Sequence, residues 1–234
     1  KFRIKLLIYM NDLTLIIPAK NESESLPKVL NELKNFNCKI LVSLQKDDEK
    51  TINAIKSFDI KVYTQNGKGY GNSLIEGIYN CKTKYFCIFN ADGSFEANDL
   101  YKMYKLIQVN DFVYTSRYEN EGGSEDDTIV TLIGNKIFSA LGSLLFSLNI
   151  SDILYTYIMG RTECFKKLNM VSADFRFCVE LPIKMHLSNM SYISISSKEK
   201  KRIAGKKKVN ALKDGFLISV EILKLFFQYK VFRN

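Results

Sequence analysis

The sequence predicts an α/β fold built on a mostly parallel central sheet. Two observations predict it. Short apolar runs and helical stripes alternate strictly from residue 13 to residue 115, an order that requires right-handed crossovers and a largely parallel sheet. The 234 residues are 46% hydrophobic and 25% charged, the balance of an ordinary globular protein able to bury a sizeable core.

Each element follows from its own residues. The run 13–17, closed by Pro18, reads as a buried strand. Leu26, Val29, Leu30 and Leu33 then mark one face of a helix over 22–36. A second strand occupies 40–44, and Ile52 and Ile55 mark a helix over 48–58. Strands at 60–63, 85–89 and 112–115 are separated by helices at 70–80 and 98–108. In open sheets of this kind ligands bind beyond the carboxyl ends of the strands. The polar residues at those ends, 20–22, 45–48, 90–94 and 116–117, are therefore the candidates for a site.

Beyond Arg117 the pattern changes. Residues 118–128, with Gly122, Gly123 and the acids Glu121, Glu125, Asp126 and Asp127, read as a mobile loop. A helix follows near 130–148, then a mixed polar and aromatic stretch at 151–168, a helix at 175–187 and a strand at 191–195. The basic run 198–208 leads into a final helix. No repeat or long linker divides the chain. Residues 11–215 are expected to form one domain, 1–10 an N-terminal extension or edge strand, and 216–234 an amphipathic C-terminal helix.

The formal charge of +9 favours an anionic partner: nucleic acid, an acidic membrane surface or a phosphorylated substrate. No RNA-recognition aromatic motif, zinc finger or helix-turn-helix signature is present, so nucleic acid is not expected. Five scattered cysteines and one histidine, His186, offer neither a disulfide framework nor a Cys/His zinc site. Reduced, mostly buried thiols in a cytosolic protein are expected. No apolar run reaches the ~18–20 residues of a transmembrane helix, and residues 1–9 are too short for a signal peptide.

Three constellations carry chemistry. Asn90, Asp92 and Ser94 follow a strand and offer oxygen ligands, the donors that Mg²⁺ or Mn²⁺ takes alongside substrate phosphates; the same residues also suit a plain turn. Residues 67–72, with Lys68 between two glycines, open a helix whose N-terminus favours an anion, or form a flexible turn. The run KEKKRIAGKKK at 198–208 holds seven basic residues and one acid, and Arg202 and Lys208 flank Gly205. Apolar positions at Phe216, Leu217, Val220 and Leu223 follow it. That is the pattern of a polybasic patch beside a membrane-interfacial helix, or of a helix packed on the core.

Taken in order, IIPAKNESESLPKVL (16–30), GKGYGNSLIEGI (67–78), FNADGSFEANDL (89–100), TSRY (115–118), SDILYTYIMGRTECF (151–165) and RIAGKKK (202–208) resemble family-2 glycosyltransferases. The dolichyl- and polyprenyl-phosphate sugar transferase branch is the most similar. The resemblance implies a GT-A (nucleotide-diphospho-sugar transferase) fold, a Rossmann-like three-layer domain. It also implies inverting hexosyl transfer from a nucleotide-sugar to a lipid-phosphate or other lipid-linked acceptor. By the same resemblance Pro18, Asn21 and Glu22 border the nucleotide, Gln45 and Asp47 stand where the base is read, and Lys68 contacts substrate. Asp92, with Asn90 and Ser94, would hold the metal; Arg117 would approach phosphate; Arg202 and Lys208 would embrace the lipid phosphate. Asp152 matches an acid near the acceptor and is the candidate general base should the acceptor be a hydroxyl.

Three positions depart from the family pattern. Asn90 replaces an acid and removes a charge from the metal site. The usual Asp-Asp-Gly-Ser stretch is Leu44-Gln45-Lys46-Asp47, where Asp47 or Asp48 would substitute only if the loop shifts, and Lys207 stands where Ser is common. A phosphate acceptor needs no base; Arg117, Arg202 and Lys208 would offset the repulsion between two anionic reactants. The alternatives are a surface-polysaccharide transferase acting on a lipid-linked saccharide and a non-catalytic nucleotide-sugar-binding relative. The expected location is cytoplasmic, at the membrane face, through peripheral contact or a membrane-protein partner.

Overall fold

The structure is a computed structural model, and it describes residues 9–205 and 207–231. The expectation for an N-terminal extension falls outside these residues except at Tyr9 and Met10. Met10 is buried, and its amide donates to Asn37 O at 2.9 Å.

The elements run β1 (Leu13–Ala19), α1 (Leu26–Leu33), β2 (Lys39–Leu44), α2 (Glu49–Ile55), β3 (Lys61–Thr64), α3 (Tyr70–Tyr79), β4 (Tyr85–Ile88), α4 (Asp99–Leu106) and β5 (Phe112–Ser116). Then follow β6 (Gly123–Ser124), α5 (Ile129–Phe146), β7 (Ile158–Arg161), α6 (Thr162–Lys167), α7 (Phe177–Leu187), β8 (Tyr192–Ser196), β9 (Lys198–Glu199) and α8 (Ala211–Phe226). A π-helical turn, Phe227–Val231, continues α8.

Seven strands form one sheet in the order β3-β2-β1-β4-β7-β5-β8, and every strand but β7 points the same way. Neighbouring parallel strands are in register, with Leu15 opposite Ile40 on one side and Cys87 on the other. Because β1 is covered on both faces, its residues are apolar but for Thr14 rather than alternating. Leu13, Leu15 and Ile17 pack beneath α1, α2 and α4. Ile16 belongs to the opposite core, with Leu74 of α3, Phe177 of α7 and Ile222 of α8. The result is three layers with a core on each side of the sheet.

The structure adds two elements inside 151–168. β7 slots antiparallel between β4 and β5, and α6 follows it directly. Gly160 is the reason β7 fits: a Cβ there would stand 2.7 Å from the rings of both Phe112 and Phe86. Two other expectations are corrected. The segment 118–128 is pinned rather than free, because β6 within it pairs with β9. And α5, with 18 residues and a mean hydropathy of 1.7, is long and apolar enough to cross a membrane. Thr131, Asn135 and Ser139 interrupt its apolar run, which hid that property in a search for unbroken runs. In the fold α5 packs on α7 and α8, yet only 22% of it is buried. α8 begins earlier than position 216: Asn210 caps it, accepting the Lys213 amide at 3.0 Å.

Candidate active site

The strand order reverses between β1 and β4, and a cleft of about 780 Å³ opens there, beyond the carboxyl ends of the strands. Pro18 at the end of β1, Asn21 and Glu22 after it, Gln45 after β2, Asn90 and Asp92 after β4, and Arg117 after β5 all line it. Arg202 and Lys208 reach the same cleft from the basic run. A second cavity of about 690 Å³ lies at the opposite, amino ends of the strands, around Asn11, Lys39, Lys61 and Thr83, far from these acids.

The first turn is rigid. Asn21 sits at φ 54°, a left-handed conformation that asparagine tolerates better than most residues. Its amide donates to Asp48 Oδ2 at 2.7 Å, and the Glu22 amide donates to Thr51 Oγ1 at 2.9 Å. Asp48 also accepts the Thr51 amide at 3.3 Å as the cap of α2. The structure thus turns Asp48 inward and leaves the expected base-reading residue, Asp47, exposed and off the cleft.

Lys68 is likewise exposed and does not line the cleft. The glycines beside it serve backbone packing: a Cβ at Gly69 or Gly71 would fall 2.2 Å from Ala173 O or 2.1 Å from Ser172 O. The Asn72 amide donates to Ala173 O at 2.9 Å, so this donor of the α3 N-terminus is used within the protein. Glu76 braces the same turn, accepting the amides of Asn66 at 2.8 Å and Gly67 at 3.0 Å. Burial works against its charge, but these two amides, Asn72 and Tyr63 hold its carboxyl below the usual value.

At the turn after β4, Asp92 Oδ1 accepts the Ser94 amide at 3.0 Å, and Asn90 Nδ2 donates to Ser94 Oγ at 3.4 Å. Ser94 is buried behind the cleft, so it orients its neighbours and is not a ligand. Among the described residues no group of three or more His, Cys, Asp and Glu side chains is arranged to hold a metal. From this turn one carboxylate, Asp92, and one amide carbonyl, Asn90, face the cleft. That hard-oxygen pair suits Mg²⁺ or Mn²⁺ whose remaining ligands are diphosphate oxygens and water.

The basic run lies across this turn as a strap. The Lys200 amide donates to Ser94 O and the Ile203 amide to Asp92 O, each at 2.8 Å. Gly93, at φ 79°, leaves room for Ile203, whose Cδ1 would be 2.4 Å from a Cβ there. Arg202 then bridges two acids: Nη1 stands 3.5 Å from Asp92 Oδ2, and Nη2 stands 2.7 Å from Asp126 Oδ2. Lys207 pairs with Asp126 at 3.4 Å, and Lys208 pairs with buried Glu22. Burial pushes the Asp126 carboxyl up, but Arg202 and Lys207 outweigh it and hold it below its usual range. The hydrogen bond to Asp126 raises Arg202 further.

Arg117 and Asp152 form a separate buried pair, and here the sequence expectation is corrected. Asp152 is 0% exposed and does not line the cleft. It accepts the Arg117 backbone amide at 3.0 Å, Nε at 2.8 Å, Nη2 at 2.9 Å, and the side-chain Nδ2 of Asn135. Nη1 of Arg117 donates to Glu199 at 2.9 Å. The guanidinium lies 4.6 Å from the Tyr155 ring. A carboxylate so saturated has no lone pair aimed at an acceptor, and a guanidinium so engaged has no free fork for phosphate. The pair fixes the end of β5 against α5 and β9. Asp126, Glu199 and Asn135 are the site residues sequence reasoning missed; only their place in an acidic loop, a basic run and an apolar helix was visible.

On the far side, Tyr70 stacks on Phe175 with centroids 5.1 Å apart and hydrogen-bonds Thr156 at 2.6 Å. Beyond them the cleft continues between α5 and α8, where its walls become apolar: Val130, Phe138, Leu212 and Ile218.

Comparison with known proteins places this geometry. The family model for glycosyl transferase family 2 matches residues 14–168. Over 208 residues the chain is 24% identical to an uncharacterized glycosyltransferase of Mycobacterium tuberculosis, covering 88% of this chain and 94% of that one. Solved structures that share its architecture include the following two. One is glucosyl-3-phosphoglycerate synthase of M. tuberculosis, in complex with Mn²⁺, UDP and glucosyl-3-phosphoglycerate. It has a TM-score of 0.69 and 11% identity, over 93% of this chain and 79% of that one. The other is mannosyl-3-phosphoglycerate synthase of Rubrobacter xylanophilus, with a TM-score of 0.65 and 14% identity over 92% and 72%. At these identities the likeness is one of fold, and the fold is GT-A.

Proposed function

The chain belongs to glycosyl transferase family 2, and on that premise we propose that it moves a sugar, with inversion, from a nucleotide-sugar to a lipid-linked phosphate at a membrane surface. One observation carries this reading. The cleft joins a polar end, with Asp92, Arg202 and Lys208, to an apolar end between α5 and α8. A nucleotide-sugar uses only the first of these.

The donor's place is the switch point between β1 and β4, with the rigid Asn21–Glu22 turn and Gln45 around the nucleoside. Asp92 and Asn90 would hold a Mg²⁺ or Mn²⁺ ion, which when bound supplies positive charge to a departing nucleoside diphosphate. Arg202, Lys207 and Lys208 are the cations free to exchange partners, their side chains 21%, 35% and 42% exposed against 10% for Arg117. They hold the acceptor phosphate, which attacks as an anion and needs no base. Asp152 acts at one remove, positioning Arg117. Peripheral contact with the cytoplasmic membrane face completes the reading, and the exposed apolar side chains of α5 and α8 support it.

The test is an acceptor panel. The purified chain is given radiolabelled nucleotide-sugars with polyprenyl phosphate, a lipid-linked saccharide or 3-phosphoglycerate. Label entering the organic phase with polyprenyl phosphate is expected. Transfer only to 3-phosphoglycerate overturns the lipid acceptor, and transfer only to the lipid-linked saccharide replaces it with a polysaccharide-building reaction.

A further inference from the structure

We propose that the channel between α5 and α8 is a subsite for the hydrocarbon chain of the acceptor, a polyisoprenoid lying end-on to the phosphate-binding cations. The proposal rests on the lipid-acceptor reading above and deepens it by naming where the chain lies.

The argument starts from two glycines. Gly134 lies within α5 and Gly215 within α8, and neither has a positive φ. In a helix interior glycine costs about 1 kcal/mol relative to alanine, so its presence calls for a packing reason. The usual one is close approach of another backbone. It does not apply here: a Cβ on Gly134 would meet nothing within 4 Å, and one on Gly215 would meet only the Phe138 ring, at 3.9 Å. Both glycines line the cleft. They widen a channel that the protein itself leaves unfilled.

The channel's chemistry changes along its length. At the inner end stand Arg202 and Lys208, beside Asp92. Past them the walls are mainly apolar, Val130, Phe138, Leu212 and Ile218, with Thr131 and Asn135 between them on α5. At the outer end Leu212 is 88% exposed and Phe216 69%, with Val130 and Ile133 of α5 also exposed. The channel therefore opens onto an apolar face rather than into a polar surface. A charged head and a thin, branched hydrocarbon tail match this sequence of surroundings, whereas a sugar, a nucleotide or a phosphoglycerate leaves the apolar part unmatched.

The experiment compares isoprenyl phosphates of increasing length, from geranyl to undecaprenyl, as acceptors for the intact chain and for Gly134→Leu and Gly215→Leu. Each buried methylene is worth roughly fourfold in binding. KM should fall with chain length in the parent protein, and each leucine should cut the preference for long over short chains by about tenfold or more. The leucines should not lower Tm, because both replace a poor helix former facing open space. Phe138→Trp supplies a binding readout independent of turnover, since the chain has no other tryptophan. Its emission should shift to the blue with geranylgeranyl phosphate but not with the nucleotide-sugar. No transfer to any isoprenyl phosphate sinks the lipid-acceptor reading itself. Transfer with an unchanged length preference in both leucine variants, or an indole emission from Phe138→Trp that does not respond, overturns the channel alone. An equal response to plain detergent micelles also overturns it, as nonspecific adsorption.

Discussion

Replacing Asp152 by asparagine separates two roles that the same carboxylate would play. In the structure it is 0% exposed and accepts four hydrogen bonds, three from Arg117 and one from Asn135. The substituted amide would keep the size but lose the charge and turn one acceptor into a donor facing donors. Arg117 would then be left buried with Glu199, at 2.9 Å, and Asp127, at 3.9 Å, as its remaining carboxylates. Removing one member of a buried pair costs about 3–5 kcal/mol. For a chain of this size each kcal/mol moves Tm by about 2–4 °C, so a fall of about 6–20 °C is expected. Thermal unfolding followed by far-UV circular dichroism reads it. The double variant Arg117→Met with Asp152→Leu should recover much of the loss, because an apolar pair carries no desolvation cost. A general base predicts the reverse: Tm near that of the parent and transfer abolished. A Tm within about 2 °C of the parent in Asp152→Asn refutes the structural assignment.

Three further outcomes follow from the site. Asp92→Asn should lower transfer by about 10²–10³-fold with the circular dichroism spectrum unchanged, since the loss falls on charge at the diphosphate; full activity removes the metal-site assignment. Glu76 has a folded-state pKa depressed below 4.5 by the Asn66 and Gly67 amides despite burial. Its contribution to stability is therefore present above 4.5 and lost as pH falls through the lower folded value; urea titrations of Glu76→Gln across that range should show this segment of the pH dependence missing. Gly93→Ala places a methyl 2.4 Å from Ile203 Cδ1 at a left-handed φ, so the strap over Asp92 should loosen. Faster amide exchange at Ile203 in that variant checks it, and unchanged protection there counts against the strap contact.

The parts of the fold that were legible in the sequence are those whose signal is local. β1, β2, β4 and β5 are central strands covered on both faces, so each reads as a mostly apolar run with only Thr, Ser or a terminal Lys among the polar residues. The topology then put Pro18, Gln45, Asn90 and Arg117 at one rim without further information. β7 was not legible: its four residues IMGR include a glycine and an arginine, and its place between β4 and β5 is set by pairing with distant strands. The same divide runs through the site. Asp47 and Asp48 are indistinguishable as sequence, and only the capping of α2 decides which of them turns inward. The glycines of 67–72 suggested an anion; what they accommodate is the backbone at 172–173, about a hundred positions away, and no local pattern reports that.

The charge of the cleft shows why composition led only part of the way. A run of seven cations suggests an open positive field waiting for phosphate. In the fold the cations nearest the site already have carboxylate partners: Arg202 has Asp92 and Asp126, Lys207 has Asp126, and Lys208 has Glu22. A phosphate entering the cleft must therefore exchange with a carboxylate rather than fill an empty potential. The exchange is favourable to the extent that the displaced acids find a new countercharge or water. Neither acid is loose: Asp126 lies on the segment that β6 ties to β9, and Glu22 is held by Thr51 and Ser25. Recognition of an anion here is thus a competition with acids that the fold holds in place, which net charge does not report.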